Sequence, residues 1–268
     1  MARSAGDLKS RLLLSGWDEL AEARLEPVAG GLSEASVFHA VRSKEPSFYL
    51  KIGRDEAACA LREEITRTRW LAGRGIRVPE IVRIADRAGE VVLLSKALPG
   101  APADASPMPV SALVAALAAA IATIHALPAD QCPFDETFGT RLSRAAAAVA
   151  ADDIDTAEFA ARNHGKSADE ILGRLRAAPP QEDIVVVHGD ATLSNLIVGR
   201  DGTVGFIDCG NTGRGDRYVD LAVLSDCILE DFGEDAVRRF EQAYAGRMRG
   251  HAWDRTKAAY CLDLYELF

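Results

Sequence analysis

The chain has 268 residues, 48% of them hydrophobic and 26% charged, with a formal net charge of −9. That balance excludes long disordered stretches and leaves room for one large domain or two lobes with a substantial core. The acid excess argues against a nucleic-acid partner, which needs a basic face, and suits a polycationic small ligand better.

Residues 1–27 predict a helix or two and then a linker ending at Pro27. The opening Met-Ala-Arg-Ser-Ala-Gly-Asp has no apolar core, so neither a secretory signal nor a myristoyl anchor is expected. From Val28 to Leu94 the pattern is strand-rich: a glycine turn at Gly30-Gly31, then strands over 36–41, 47–52 and 90–94. A charged helix over 55–74 lies among them, closed by Gly73 and Gly75. Where the third strand gives way to Ser95-Lys-Ala97-Leu-Pro-Gly100, a hinge over 95–100 is expected.

Beyond it the chain reads as mainly helical, over 110–127, 138–151, 167–178, 216–230, 233–246 and 253–267. The most hydrophobic stretch, 110–127, is alanine-rich and contains Ser111, Thr123 and His125, which makes it a buried helix and not a membrane span. The five cysteines, Cys59, Cys132, Cys209, Cys227 and Cys261, form no C-x-x-C pair and read as reduced thiols of a cytoplasmic protein.

Two apolar runs interrupt the helices, Ile184-Val-Val-Val187 and Val204-Gly-Phe-Ile207, and each delivers polar residues at its end. The first leads into His188-Gly-Asp190-Ala-Thr-Leu-Ser-Asn195, the second into Asp208-Cys-Gly210. This is the spacing of a kinase catalytic loop, H-R-D-x-x-x-x-N followed by D-F-G, with Gly189 in place of the arginine and Cys209 in place of the phenylalanine. In that template Asp190 meets the attacking hydroxyl, and Asn195 and Asp208 hold Mg²⁺. His188 reads as a structural brace of the loop. Asp216 reads as a cap of the following helix that also braces the loop.

These segments, together with Gly-Phe-Ile-Asp208-Cys-Gly-Asn211-Thr-Gly-Arg-Gly-Asp216 and the ending Tyr265-Glu-Leu-Phe268, resemble the aminoglycoside 3'-phosphotransferases. The resemblance runs from about Gly31 to Phe268 and is strongest around the catalytic loop. It implies an α+β, two-lobed, protein-kinase-like fold: a β-rich nucleotide-binding lobe over 1–94, the hinge, and a mainly helical catalytic and substrate-binding lobe over 101–268. It implies ATP and Mg²⁺ as cofactors, an aminoglycoside such as kanamycin or neomycin as partner, and antibiotic resistance as the outcome. A related protein-kinase-like small-molecule kinase of another hydroxylated metabolite or antibiotic is the alternative.

On the nucleotide side, Gly31-Leu-Ser33-Glu-Ala-Ser36 is either a loop whose amides approach phosphate or a plain hairpin turn. Lys51 stands where the template requires a lysine for the α- and β-phosphates. Glu63 and Glu64 are both available to pair with it, and the resemblance favours Glu64. Tyr49 faces the same side of its strand as Lys51 and is either core or, as the resemblance implies, a platform for adenine. Backbone groups of Ser95 to Ala97 are then expected on the adenine edge.

On the acceptor side, Asp190, Glu230, Asp231, Glu266 and the carboxylate of Phe268 are the candidates to pair substrate ammonium groups. Three departures from the family pattern bear on this side: Asn211 where many members have arginine, Tyr265 where they have aspartate, and a weakly acidic stretch over 158–164. Asp152, Asp153 and Asp155 lie near enough in sequence to compensate.

Overall fold

A computed structural model describes residues 5–28, 35–43, 46–154, 156, 159, 163–249 and 251–268. The chain divides into two compact units, Met1–Pro99 and Gly100–Phe268. The expected glycine turn and Ser33 fall outside the described residues, as do Asp155 and most of the 158–164 stretch.

The first unit opens with helix α1 (Ala5–Leu14), followed by strands β1 (Arg24–Pro27), β2 (Ser36–Val41) and β3 (Phe48–Arg54), helix α2 (Glu56–Ala72), and strands β4 (Ile81–Arg87) and β5 (Glu90–Lys96). The strands form one antiparallel sheet in the order β1-β2-β3-β5-β4. Period-two alternation divides β5 between two cores. Val92 and Leu94 join Phe48, Leu50 and Ile52 of β3 against Leu8 and Leu12 of α1. Val91 and Leu93 face the other way, against Ala58, Leu61 and Ile65 of α2.

Two of these strands are absent from the sequence-based expectation. Residues 24–27 are paired with β2 in register, Arg24 opposite Val41 and Pro27 opposite Phe38, and are not a linker. As an edge strand, β1 tolerates a proline and carries little hydrophobic signal. The other edge, β4, reads Ile-Val-Arg-Ile-Ala-Asp-Arg, and its register shifts between Ile81 and Arg83, so no clean alternation marks it.

The second unit contains strand β6 (Ala101–Pro102), helices α3 (Val110–His125), α4 (Phe138–Ala150) and α5 (Ala168–Ala177), strands β7 (Ile184–Val187), β8 (Leu196–Val198), β9 (Val204–Phe206) and β10 (Gly213–Asp216), and helices α6 (Tyr218–Phe232), α7 (Glu234–Arg247) and α8 (Arg255–Tyr265). The two units together make an α+β architecture, β-rich first and mainly helical second. Alanines at 118 and 122 let α3 lie close against α7, whose Phe240 and Tyr244 are fully buried. Helix α6 is buried without a break from Tyr218 to Ser225, which makes it the central helix of this unit.

Residues 213–216 form strand β10, antiparallel to β7, where the sequence suggested only a short loop before the helix. A Cβ at Gly215 would lie 2.6 Å from the Glu136 carbonyl oxygen, so this strand is glycine-rich for close approach and lacks the β-branched residues that signal a strand. All five cysteines are free thiols. Among the described residues, no helix is long and apolar enough to cross a membrane.

Candidate active site

The polar loop after β7 and the hairpin β8–β9 are tied by backbone bonds. In the hairpin Leu196 pairs with Phe206 and Val198 with Val204. One step toward its open end, the Ile207 amide donates to the Asn195 carbonyl at 3.0 Å. Asn195 is thereby held opposite Ile207, next to Asp208. Asp208 is exposed and adopts left-handed backbone (φ 57°, ψ 48°), a conformation that aspartate tolerates better than most residues.

His188 joins the loop to this hairpin. Its Nε2–H donates to the Ile207 carbonyl at 2.9 Å, which leaves Nδ1 to accept from the Asp190 amide at 3.4 Å, and its ring stacks on Phe206. Bracing the loop is therefore its role in the structure. Gly189 has φ +89°, and a Cβ there would lie 2.0 Å from the Asn211 carbonyl oxygen. The glycine that stands in place of the template's arginine is thus required by local sterics.

The Asp190 carboxylate is held at both oxygens. Asn195 Nδ2 donates to Oδ2 at 2.8 Å and also to the Asp190 carbonyl at 3.0 Å. The Tyr265 hydroxyl donates to Oδ1 at 3.0 Å. With Nδ2 committed to Asp190, the Asn195 amide turns its Oδ1 oxygen away from that carboxylate. Oxygen donors of this kind, an amide carbonyl and the exposed carboxylate of Asp208, suit Mg²⁺. Among the described residues, no three His, Cys, Asp or Glu side chains form a self-contained metal cage. Two protein ligands completed by phosphate oxygens and water are the usual arrangement for that ion in nucleotide sites.

The loop is held from behind by a residue that sequence reasoning missed. Asp220, fully buried on α6, accepts the His188 amide at 2.8 Å, the Gly189 amide at 2.8 Å and His125 Nε2 at 3.1 Å. Facing a carboxylate, His125 Nε2 carries its proton, and Nδ1 meets the Tyr244 hydroxyl at 2.7 Å. Burial opposes ionisation of Asp220, yet the His125 hydrogen bond and the loop amides outweigh it and hold the carboxyl below its usual range. At the carbonyl of the same glycine, one peptide further on, buried Arg141 donates to Gly189 O at 2.7 Å. Arg141 shares the buried Glu136 with Arg144, which also reaches Asn211 Oδ1 at 3.2 Å. A guanidinium from α4 therefore approaches the position where many family members carry their own arginine.

Asp216 caps the first turn of α6 by accepting the Tyr218 amide at 2.9 Å, but it does not brace the loop. Its other oxygen takes the Asp183 amide and Lys257 Nζ. Asp220 performs the bracing. The one legible trace was an acid in the apolar run Tyr218-Val-Asp220-Leu-Ala-Val, since a charge inside a buried helix needs partners.

In the first unit, Lys51 Nζ pairs with Glu64 Oε1 at 2.7 Å, both side chains mostly buried. Glu63 points elsewhere and pairs with Arg67 one turn on. Tyr49 and Lys51 share the face of β3 opposite Phe48, Leu50 and Ile52. Tyr49 is 37% exposed and stacks on His39 of β2 at 4.8 Å between ring centroids. Ser95 sits opposite Tyr49 in the ladder. The Lys96 amide donates to Glu80 O and the Ala97 amide to Ser47 O, so those two donors are spent within the unit.

Of the other acceptor-side candidates, Glu230 and Asp231 are exposed in the last turn of α6. Glu266 accepts Asn163 Nδ2 at 2.7 Å. The Phe268 ring lies beside the guanidinium groups of Arg141 and Arg144, 5.5 and 5.6 Å from its centroid. Asp152 and Asp153 are exposed just beyond α4.

The chain is similar to known proteins along most of its length. An aminoglycoside 3'-phosphotransferase of Escherichia coli is 33% identical over 234 residues, which covers 85% of this chain and 83% of the relative. The crystal structure of the aminoglycoside-3'-phosphotransferase of type VIII superposes with a TM-score of 0.86 at 31% identity, covering 98% of each chain. The aminoglycoside phosphotransferase APH(3'')-Id from Streptomyces rimosus, solved in complex with ADP and streptomycin, superposes with a TM-score of 0.82 at 30% identity, covering 97% of this chain and 98% of its own. The model of the phosphotransferase enzyme family matches residues 24–259, and the chain belongs to that family.

Proposed function

We propose that this protein is an ATP-dependent kinase of aminoglycosides, which moves the γ-phosphoryl group of ATP to the 3'-hydroxyl and thereby inactivates the antibiotic. The observation that carries this reading is the Asp190 carboxylate, clamped by Asn195 beside the exposed Asp208 in a chain whose relatives are named for aminoglycoside phosphorylation.

In this mechanism Asp190 receives the acceptor hydroxyl, orients its oxygen toward phosphorus and takes the proton as the bond to phosphorus forms. A loose transition state needs little early deprotonation, so alignment is the larger part of what Asp190 does. Asn195 keeps the carboxylate in place through Nδ2 and presents Oδ1, with the Asp208 carboxylate, to Mg²⁺. When bound with the nucleotide, that ion neutralises charge on the phosphate oxygens. Lys51, oriented by Glu64, supplies the fixed cation for the α- and β-phosphates. The face of Tyr49 turned away from His39 is available to adenine. With the Lys96 and Ala97 amides spent within the unit, Ser95 and Ala97 belong to the adenine edge by their place in the sequence. Ser33 completes the nucleotide set by its place in the sequence. On the acceptor side Glu230, Asp231 and Glu266 pair ammonium groups, Phe268 belongs to the same set by its place in the sequence, and the net charge of −9 draws in a polycation. No nucleic acid or membrane is needed, and the free thiols accord with a cytoplasmic enzyme.

The test is phosphorylation of kanamycin, its 3'-deoxy relative and streptomycin by the purified protein. Kanamycin is expected to react and the deoxy compound to fail, with Asp190→Ala inactive on both while still binding ATP. Equal rates on kanamycin and its deoxy relative, or turnover of streptomycin alone, overturn the 3' assignment.

A further inference from the structure

The Tyr265 hydroxyl stands in a particular relation to Asp190. It donates to Oδ1 at 3.0 Å, the relation a hydroxyl acceptor must adopt toward its base. The other carboxylate oxygen is already taken by Asn195, so Oδ1 is the side on which an acceptor proton would arrive.

The phenol is delivered by a well-anchored helix. Tyr260, Cys261 and Leu264 on α8 and the following Leu267 are buried, Asp254 caps the first turn through the Lys257 amide, Asp263 pairs with Arg174, and Lys257 pairs with Asp216. The ordering cost of placing the hydroxyl on Asp190 is therefore met by the fold. Burial and the neighbouring Asp190 charge also push the phenol above its ordinary range, so it stays a donor wherever the enzyme works.

We propose that Tyr265 is a specificity-determining positioning residue whose hydroxyl occupies the acceptor's place on Asp190, keeps water off that oxygen, and yields only to an acceptor that brings enough binding energy of its own. This rests on Asp190 being the group that receives the acceptor hydroxyl. A carboxylate oxygen left open admits water, and the cost is ATP hydrolysis. In that reaction the water oxygen bonds to the γ-phosphorus, the bridging oxygen leaves with ADP, and the water proton passes through Asp190 to solvent. A tyrosine resting on Oδ1 suppresses that leak, because the helix holds the phenolic oxygen where water would have to sit.

The experiment compares the parent, Tyr265→Phe and Asp190→Ala in Mg·ATP, first without an aminoglycoside and then with kanamycin. Loss of one hydrogen bond that water and acceptor must displace is worth about tenfold. Tyr265→Phe should raise acceptor-free ATP hydrolysis by about that factor and lower the KM for kanamycin by a similar factor, with kcat moving less than KM. Incorporation of 3-fluorotyrosine at position 265 keeps the hydroxyl and the fold while strengthening the donor, and it should raise the KM. If hydrolysis and KM are unchanged in Tyr265→Phe, or if kcat falls at constant KM, the hydroxyl is only a brace and the proposal is overturned. Equal turnover of kanamycin by Asp190→Ala and the parent instead overturns the role of Asp190, and the proposal falls with it.

Discussion

Replacing Asp220 by alanine strips the acceptor from three buried donors at once, the amides of His188 and Gly189 and Nε2 of His125. Each buried donor left unpaired costs about 1–3 kcal/mol, and breaking a buried charged network by removing one member costs about 3–5 kcal/mol in all. For a chain of this size each kcal/mol lowers the melting temperature by roughly 2–4 °C, so a fall of about 6–20 °C is expected. The catalytic effect should be larger in proportion, because the His188–Gly189 peptide positions Asp190, and a displacement near 1 Å costs about a hundredfold in rate. Thermal melts followed by circular dichroism, with kcat measured well below the melting transition, test both parts. Asp220→Asn keeps the shape but turns an amide NH₂ toward backbone donors, so it should fall between the parent and alanine. Because the folded carboxyl titrates below its usual range, its contribution is complete above the unfolded value near 3.9 and is lost as pH falls through the lower folded value. The stability gap between the parent and Asp220→Asn should therefore be flat above about pH 5 and shrink only below about pH 4. An alanine variant that melts within 2 °C of the parent with unchanged kcat (roughly the resolution of such a melt) would refute the argument.

Gly189→Ala must accommodate a Cβ 2.0 Å from the Asn211 carbonyl at φ +89°, so it should lose about 1–3 kcal/mol of stability and most of its turnover. Near-parental melting and kcat would show that the loop shifts freely. Lys51→Met removes a charge-assisted contact proposed for the nucleotide, worth about 1.5–3 kcal/mol, and should weaken ATP binding by roughly ten- to a hundredfold in equilibrium titrations. Unchanged nucleotide affinity would remove Lys51 from that role.

Part of the architecture was legible because it is written in short-range pattern. The apolar runs 184–187 and 204–207 end in polar residues, and both form buried strands. The alternation of Phe48, Tyr49, Leu50 and Lys51 placed the tyrosine and lysine on one face. Strands β1, β4 and β10 left no comparable signal, since edges need no apolar alternation and the glycines of β10 trade side-chain pattern for close backbone approach.

The candidate site divides along the same line. Sequence alone determined which residues are the candidates for the chemistry: Asp190 and Asn195 five positions apart, Asp208 at the end of the next strand, and Lys51 on a β-strand. These are local relations, set by backbone geometry that neighbouring residues impose. Tertiary structure decided what holds those residues. Asp220 reaches back across 31 residues to the Gly189 amide, Arg141 comes 48 residues forward to its carbonyl, and Tyr265 closes 75 residues to rest on Asp190. No local pattern encodes such pairings, because a buried polar group is satisfied by whichever partner long-range packing brings within about 3 Å, and that choice is made only when the helices close around the loop.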